Sequence, residues 1–392
     1  MDLAEFRTVF PITAERAYLF SGGLAPGSTP VRAAIDTWLE RWTDDPLYHR
    51  ARYFEDWDAV RSGLGRLFRC PAESIALTDS TSRASNLAMA LIEAPPGSNV
   101  VVDATTYPSS LYPWLLPGRR NVEVRTVPGA QPSTDDIARL VDDRTVAVSV
   151  SHVAALTGVR HDLASLADVS HDHGALLVVD VAQSAGAIDI DLPTTGVDLA
   201  AGVAMKWLLG TPGTGFLYIA PHLQERIPSQ AGYVGAEVAT NADVGKGGTA
   251  STLRFRTGAQ RHELGLGDLP GLAAFRAALD LLDAVGMPAI EAQIARLTAR
   301  CVEGLQARGI ALLTPTDPAR RAGVLAIRTP SSVDLADFLR ARRVDVWGYT
   351  DGRLRIDPHG FNDDNDLERL FQGIDDYSRE RGGLGTPAGS MG

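Results

Sequence analysis

From Ser74 to Asp180 the chain alternates short apolar runs with helix-patterned stretches, and no other feature narrows its possible folds as far. The runs SIALTDS, NVVVDA, NVEVRTV, RTVAVSVS and ALLVVD have the length of strands. Helical patterns fall between them, from about Ser82, from about Ser109, near Thr134 to Val141, and from Leu163 to His173. This rhythm predicts an α/β fold whose mostly parallel sheet is covered by helices on both faces. In such a sheet, ligands sit beyond the carboxyl ends of the strands.

The segment from Ala175 to Ile219 organises the rest. Its apolar run Leu176–Val179 delivers Asp180, and Gln183 follows three residues later. A second apolar segment leads to Lys206 and then to the turn Gly210-Thr211-Pro212-Gly213-Thr214-Gly215. An acid and a lysine, each at the end of a buried strand, are placed to meet one ligand. Lysine usage sharpens this: of 37 Lys+Arg, only Lys206 and Lys246 are lysines. Arginine keeps its proton in proteins, whereas a lysine amine can lose it and form a Schiff base. The alternative for Lys206 is a side chain snorkelling to the surface from a strand end. Lys246, in DVGKGGTA, reads as part of a solvated loop.

The ordered set Asp180-x-x-Gln183, Lys206 and Gly-x-Pro-Gly-x-Gly resembles the fold type I pyridoxal-phosphate (PLP) enzymes. Within them it is similar to the class V aminotransferase superfamily of cysteine desulfurases, kynureninases, isopenicillin-N-epimerase-like enzymes and C–S lyases. The resemblance runs from about Tyr18 to about Tyr377. It implies a large domain with a sheet of the seven-stranded type, a small C-terminal α+β domain, and pyridoxal 5'-phosphate as cofactor. It also implies that Lys206 holds the cofactor covalently, that Asp180 pairs with the pyridine nitrogen, and that Gln183 bonds the ring hydroxyl.

Further positions follow from the same resemblance. Thr81 and Ser82, in Asp79-Ser80-Thr81-Ser82, would hold the cofactor phosphate at a helix start; a simple N-cap is the alternative. Tyr107, in Thr106-Tyr107-Pro108-Ser109, would stack on the ring and complete the catalytic set with Lys206 and Asp180. Arg355 would grip the substrate carboxylate as a planar fork, with Arg353 as its rival. Gly22 and Gly23 would line the substrate pocket, or form a plain turn. Tyr233 would donate to the phosphate. Departures include Met205, Ala259 and the absence of an asparagine in Ser151-His152-Val153-Ala154-Ala155. A pocket role for Tyr48 competes with surface packing.

Desulfurase chemistry needs a cysteine thiolate just before the carboxylate arginine, and residues 343 to 354 contain no cysteine. Cys70 and Cys301 read as structural, which argues against a cysteine desulfurase and for a reducing compartment. His171-x-His173 lacks further ligands, so no metal site is expected. A net charge of −11 argues against nucleic acid or an anionic membrane as partner. No signal peptide or membrane-length apolar run is seen, so a cytoplasmic location is expected.

The expected divisions are an N-terminal segment 1–25 joining the small domain, a large PLP-binding domain 26–265, a small domain 266–382, and a disordered tail 383–392. Val31, Ile35, Trp38, Leu39 and Trp42 repeat at helical spacing and predict a helix burying a wide face. The family's sites lie between subunits, which implies a homodimer with a small-molecule amino-acid substrate. The leading functional reading is a C–S β-lyase on an S-substituted cysteine, as in thiol-conjugate processing of ergothioneine or lincosamide type. Decarboxylation-coupled oxidative deamination, kynureninase-like hydrolysis, epimerisation, transamination and a non-catalytic PLP-binding protein are the alternatives.

Overall fold

The computed structural model describes residues 1–116, 121–226, 228–237, 253–265 and 267–384, so Lys246 and most of the expected tail lie outside the described residues. Strand β1 (Ala17–Tyr18) opens the chain's pairing. Then β2 (Ile75–Thr78), β3 (Asn99–Asp103), β4 (Glu123–Val127), β5 (Thr145–Ser151), β6 (Leu176–Asp180), β7 (Leu199–Val203) and β8 (Gly215–Ile219) build one seven-stranded sheet. Its order is β2-β8-β7-β6-β5-β3-β4. The inner strands are buried on both faces, as a parallel sheet between helical layers requires.

Only β8 runs against its neighbours. The connection 204–214 between β7 and β8 contains no helix and is shorter than a parallel crossover needs, so the chain must turn back. This short return is the segment that carries Lys206. The carboxyl ends of β2, β3, β5, β6 and β7 share one rim, because all five strands run the same way.

The smaller C-terminal unit contains β9 (Leu325–Arg328), β10 (Val344–Asp345), β11 (Trp347–Gly348) and β12 (Arg353–Ile356), with helices Ser332–Ala341 and Asp364–Arg381. The run VDVWGY divides into two strands: β10 pairs with β1, and β11 pairs with β12. Residues 16–19 therefore pack here, whereas Phe6 and Phe10 join the core of the large sheet. Ala17 pairs with Val344, Arg16 bonds both Asp345 oxygens at 2.7 Å, and Arg7 reaches Asp366 at 2.7 and 3.1 Å. Ala17 and Leu19 join Leu297, Leu325, Ile327 and Leu354 in a core separate from that of the large sheet.

Two expectations are corrected. The helix Thr29–Asp44 buries only Val31, while Leu39 and Trp42 stay 43% and 52% exposed. Ile35 packs against the main core, and Trp38 meets the rings of Trp42 and His49 on a face that stays partly open. The helix expected from Ser109 is a single turn, Pro108–Leu111, followed by a 3-10 turn, Tyr112–Leu115, because Pro113 offers no N–H to continue it. No helix among the described residues is long and apolar enough to cross a membrane.

Candidate active site

Asp180 ends β6 as a buried carboxylate at the rim. Its Oδ1 accepts the Ala182 N–H at 2.8 Å, and Oδ2 accepts the Ser109 hydroxyl at 3.3 Å. Burial raises its pKa above the usual carboxylate range, and the nearby Lys206 ammonium pulls it back down. Lys206 sits on the turn after β7 and moves the other way. Burial lowers its pKa, Asp180 resists, and the Arg355 guanidinium adds to the lowering. Acid and amine are therefore poorly solvated and face each other. The Lys206 Nζ lies 5.5 Å from the centre of the Tyr107 ring, so these three residues frame one slot.

The turn that presents Lys206 is tightly specified. Leu209 N donates to Lys206 O at 3.0 Å, Gly210 N to Ala204 O at 2.9 Å, and Ala204 N to Thr214 O at 3.0 Å. Leu209 adopts a φ of 62°, a left-handed conformation that costs a branched residue about 1–2 kcal/mol. The surrounding packing of buried Trp207, Leu208 and Leu209 holds it there.

The expected anion end lies on the same rim. Ser80, not Thr81 or Ser82, caps the helix Thr81–Ala90: its hydroxyl accepts the Arg83 N–H and donates to Asp79. Capping is thus done without the hydroxyls of Thr81 and Ser82, which remain at a helix start that favours negative charge. Gly215 lets this loop come close, since a Cβ there would lie 3.0 Å from the Ser80 backbone.

Gln183 is buried with its amide fixed at both ends. Trp207 Nε1 donates to Oε1 at 2.9 Å, and Nε2 donates to Gly22 O at 2.9 Å. One amide N–H remains for anything else. Gly22 is wedged where a side chain cannot go: a Cβ would lie 2.4 Å from Arg355 Nη2 and 2.7 Å from both Asp357 Oδ2 and Gln183 Oε1. Gly23 is closed off by the Phe20 ring, 2.0 Å from a notional Cβ. Arg355 is buried here, whereas its rival Arg353 is tied to Asp351 nearer the surface.

The structure thus brings together Lys206, Asp180, Tyr107, Gln183, Gly22 and Arg355. Tyr233 stands apart: it is 54% exposed, on the segment 228–237. Among the described residues no hydrogen bond joins it to this group. Tyr48 is 51% exposed beneath the Arg52 guanidinium, a surface position. His171 and His173 pair with different acids, Asp198 and Asp143. Sequence reasoning missed Ser109, Trp207 and Asp357. Each lies within two residues of one that was found, and that adjacency was the available signal.

These residues fit pyridoxal 5'-phosphate. A buried acid whose only side-chain hydrogen-bond donor is one hydroxyl keeps acceptor capacity for a protonated ring nitrogen. A partly desolvated amine, an aromatic plate and an anion-favouring helix start answer the aldehyde, ring and phosphate. Comparison with known proteins agrees. The aminotransferase class-V family model matches residues 17–347. A kynureninase of Deinococcus radiodurans is 31% identical over 350 residues, spanning 84% of this chain and 81% of that protein. The solved cysteine desulfurase of Thermococcus onnurineus NA1 superposes with a TM-score of 0.84 at 21% identity, covering 96% of this chain and 98% of that one. The cystine C–S lyase C-DES, solved with its product cysteine persulfide, gives 0.83 at 21% identity, covering 93% and 98%. Both structures establish the fold type I architecture. The chain belongs to the aminotransferase class-V family of PLP-dependent enzymes.

Proposed function

We propose that this enzyme is a C–S β-lyase acting on an S-substituted cysteine. The overall change balances as S-conjugate plus water giving thiol, pyruvate and ammonium. The bound cofactor supplies covalent capture of the substrate amine and an electron sink for charge developing at Cα. The chain's residues do the rest. Lys206 Nζ, held at lowered basicity, takes the Cα proton. Asp180 keeps the ring nitrogen protonated, Tyr107 fixes the ring plane, and Thr81 and Ser82 anchor the phosphate. Arg355 holds the substrate carboxylate beside Gly22, while Gly23 lies behind the Phe20 ring.

The observation that carries the choice of lyase is where the thiols lie. Cys70 and Cys301 are both buried, and burial pushes each thiol up to about 12. Neither offers a thiolate nucleophile, and residues 343–354 beside Arg355 hold no cysteine, so a desulfurase-type attack on substrate sulfur lacks its nucleophile. The likeness of fold to a cystine C–S lyase is consistent with this. Candidate S-conjugates of cysteine test the reading. Thiol released with pyruvate in equal amounts supports it, whereas carbon dioxide with an aldehyde, or alanine with persulfide, sinks it.

Kynureninase-like hydrolysis is the second reading, favoured by the 31% identical relative and by Tyr107-Pro108. Release of an aromatic acid and alanine from kynurenine would select it. We also infer a homodimer. Leu39, Trp42, Leu47, Tyr48 and Phe54 form an exposed apolar surface, and Tyr112, Leu115 and Leu116 are exposed as well. Sedimentation equilibrium giving the monomer mass for the active enzyme would refute it.

A further inference from the structure

Arg355 does not meet the substrate alone. Asp357, two residues on and fully buried, accepts from its Nε at 3.4 Å and its Nη2 at 2.5 Å. That occupies one edge of the guanidinium fork. The Tyr349 hydroxyl lies 3.4 Å from Nη1, and the Phe20 ring centre lies 5.4 Å from the guanidinium carbon. Phe20 stacks on Trp347, whose strand position lies opposite Arg355. The other edge, between Nη1 and Nη2, keeps N–H groups for a second acceptor. Gly22 closes the remaining side with its backbone N–H on the Asp357 carboxylate.

A substrate carboxylate reaching the open edge therefore shares one buried guanidinium with a carboxylate already there. A second acid brought that close in a buried site raises the pKa of one of the pair. We propose that Asp357 determines what Arg355 accepts: a substrate carboxylate docks on the Nη1–Nη2 edge together with a proton that Asp357 takes up from solvent. The inference rests on the reading of Arg355 as the substrate-carboxylate residue. No bond to carbon changes in this step; the proton comes from buffer and leaves with the ligand.

The groups facing Asp357 support it. They are Arg355 on β12, Lys206 on the turn after β7, and Tyr18 on β1, with Tyr349 beyond Arg355. Burial already lifts Asp357 to about 6 against the pull of Arg355 and Lys206. A second carboxylate moves it further in the same direction. A neutral carboxyl derivative, such as an amide, asks for no proton.

The test uses holoenzyme and 3-phenylpropionate, which has no amine to join the cofactor and cannot turn over. Its amide, 3-phenylpropanamide, is the neutral match. Calorimetric titration near neutral pH in two buffers of unlike ionisation enthalpy reads the protons taken up. The wild type should take up close to one proton per carboxylate and none per amide, and its affinity for the carboxylate should fall about tenfold per pH unit above the titration midpoint. Asp357→Asn and Asp357→Ser should take up none and lose that pH dependence. No uptake in the wild type, or uptake that persists in both variants, overturns the proposal. Unchanged carboxylate affinity in Arg355→Ala would instead remove the premise about Arg355. Failure to release thiol from S-conjugates bears on the lyase reading and leaves this measurement intact.

Discussion

Trp207 Nε1 donates to Gln183 Oε1 across 2.9 Å, and that bond decides which way the Gln183 amide faces. With its oxygen so held, the amide turns its nitrogen to Gly22 O at 2.9 Å. The neighbour of the candidate lysine thereby sets the loop that faces the substrate. Trp207→Phe keeps an aromatic ring and removes the donor. It should lower kcat/KM about five- to tenfold, the value of one net hydrogen bond, while borohydride still fixes cofactor to the chain. An unchanged kcat/KM would show that Gln183 needs no such support.

Lys206→Ala removes the amine that both holds the cofactor and moves the Cα proton. The purified variant should show no cofactor covalently fixed by borohydride, with peptide mass analysis as the readout. Its kcat should fall by about 10²–10⁴, the range for losing a positioned base. Cofactor still fixed in the variant would place the covalent bond elsewhere.

Gly22→Ala puts a methyl group 2.4 Å from Arg355 Nη2 and 2.7 Å from Asp357 Oδ2. Both atoms belong to a buried ion pair whose partners hold each other in place, so neither yields easily. Binding of 3-phenylpropionate to the folded variant should weaken by about tenfold or more, about 1.4 kcal/mol, and the unfolding midpoint should fall as the clash is relieved. Equal affinity in variant and wild type would free this loop from any part in carboxylate binding.

A Cys70→Ala, Cys301→Ala double variant separates lyase from desulfurase chemistry. Both thiols are buried and pushed up to about 12. Thiol release from an S-conjugate should stay within about twofold of wild type, while stability falls by roughly 1–3 kcal/mol from the small cavities left behind. Abolished activity in a folded variant would restore a nucleophilic cysteine.

Acid should weaken the fold through its buried imidazoles. His359 is sealed between Trp207 and Phe361, with Nε2 on Trp207 O at 3.0 Å, and burial lowers it from 6.5 to about 4. The folded chain then binds fewer protons than the unfolded one between those values. The contribution, about 3 kcal/mol for a shift of this size, is complete above the unfolded pKa and is lost as pH falls through the folded one. Buried Asp357, raised to about 6, contributes in the opposite sense over part of this range, so the readout is the difference. His359→Gln should lose this part of the pH dependence of thermal unfolding between about pH 7 and pH 4 relative to wild type. His262 moves in the same direction and would leave a residual slope. An equal slope in the variant would assign the effect to other groups.

What could be read from the sequence depended on local contrast. A lysine in an arginine-dominated chain, and an acid ending an apolar run, announce themselves, and both stand on the rim of the sheet. The parallel core was legible from strand-length apolar runs alternating with helices. The reversed direction of β8 was not, since it depends on the connection 204–214 folding back without a helix. The exposed face of helix Thr29–Asp44 was misread because periodicity shows that a face is apolar, not what covers it. Asp357 was passed over because an Asp two residues after an Arg is commonplace in a chain of 37 Lys+Arg. Its meaning comes from burial and from Gly22, far away in sequence.

The pairing of Ala17 with Val344, and of Leu19 O with Asp357 N, ties the front of the chain to its rear. A ribosome delivers the reactive amine midway and the partners of the Gly22 loop near the end. The growing chain thus carries its amine before the residues that close its entrance. The entrance closes only when residues 344–357 reach residues 17–22.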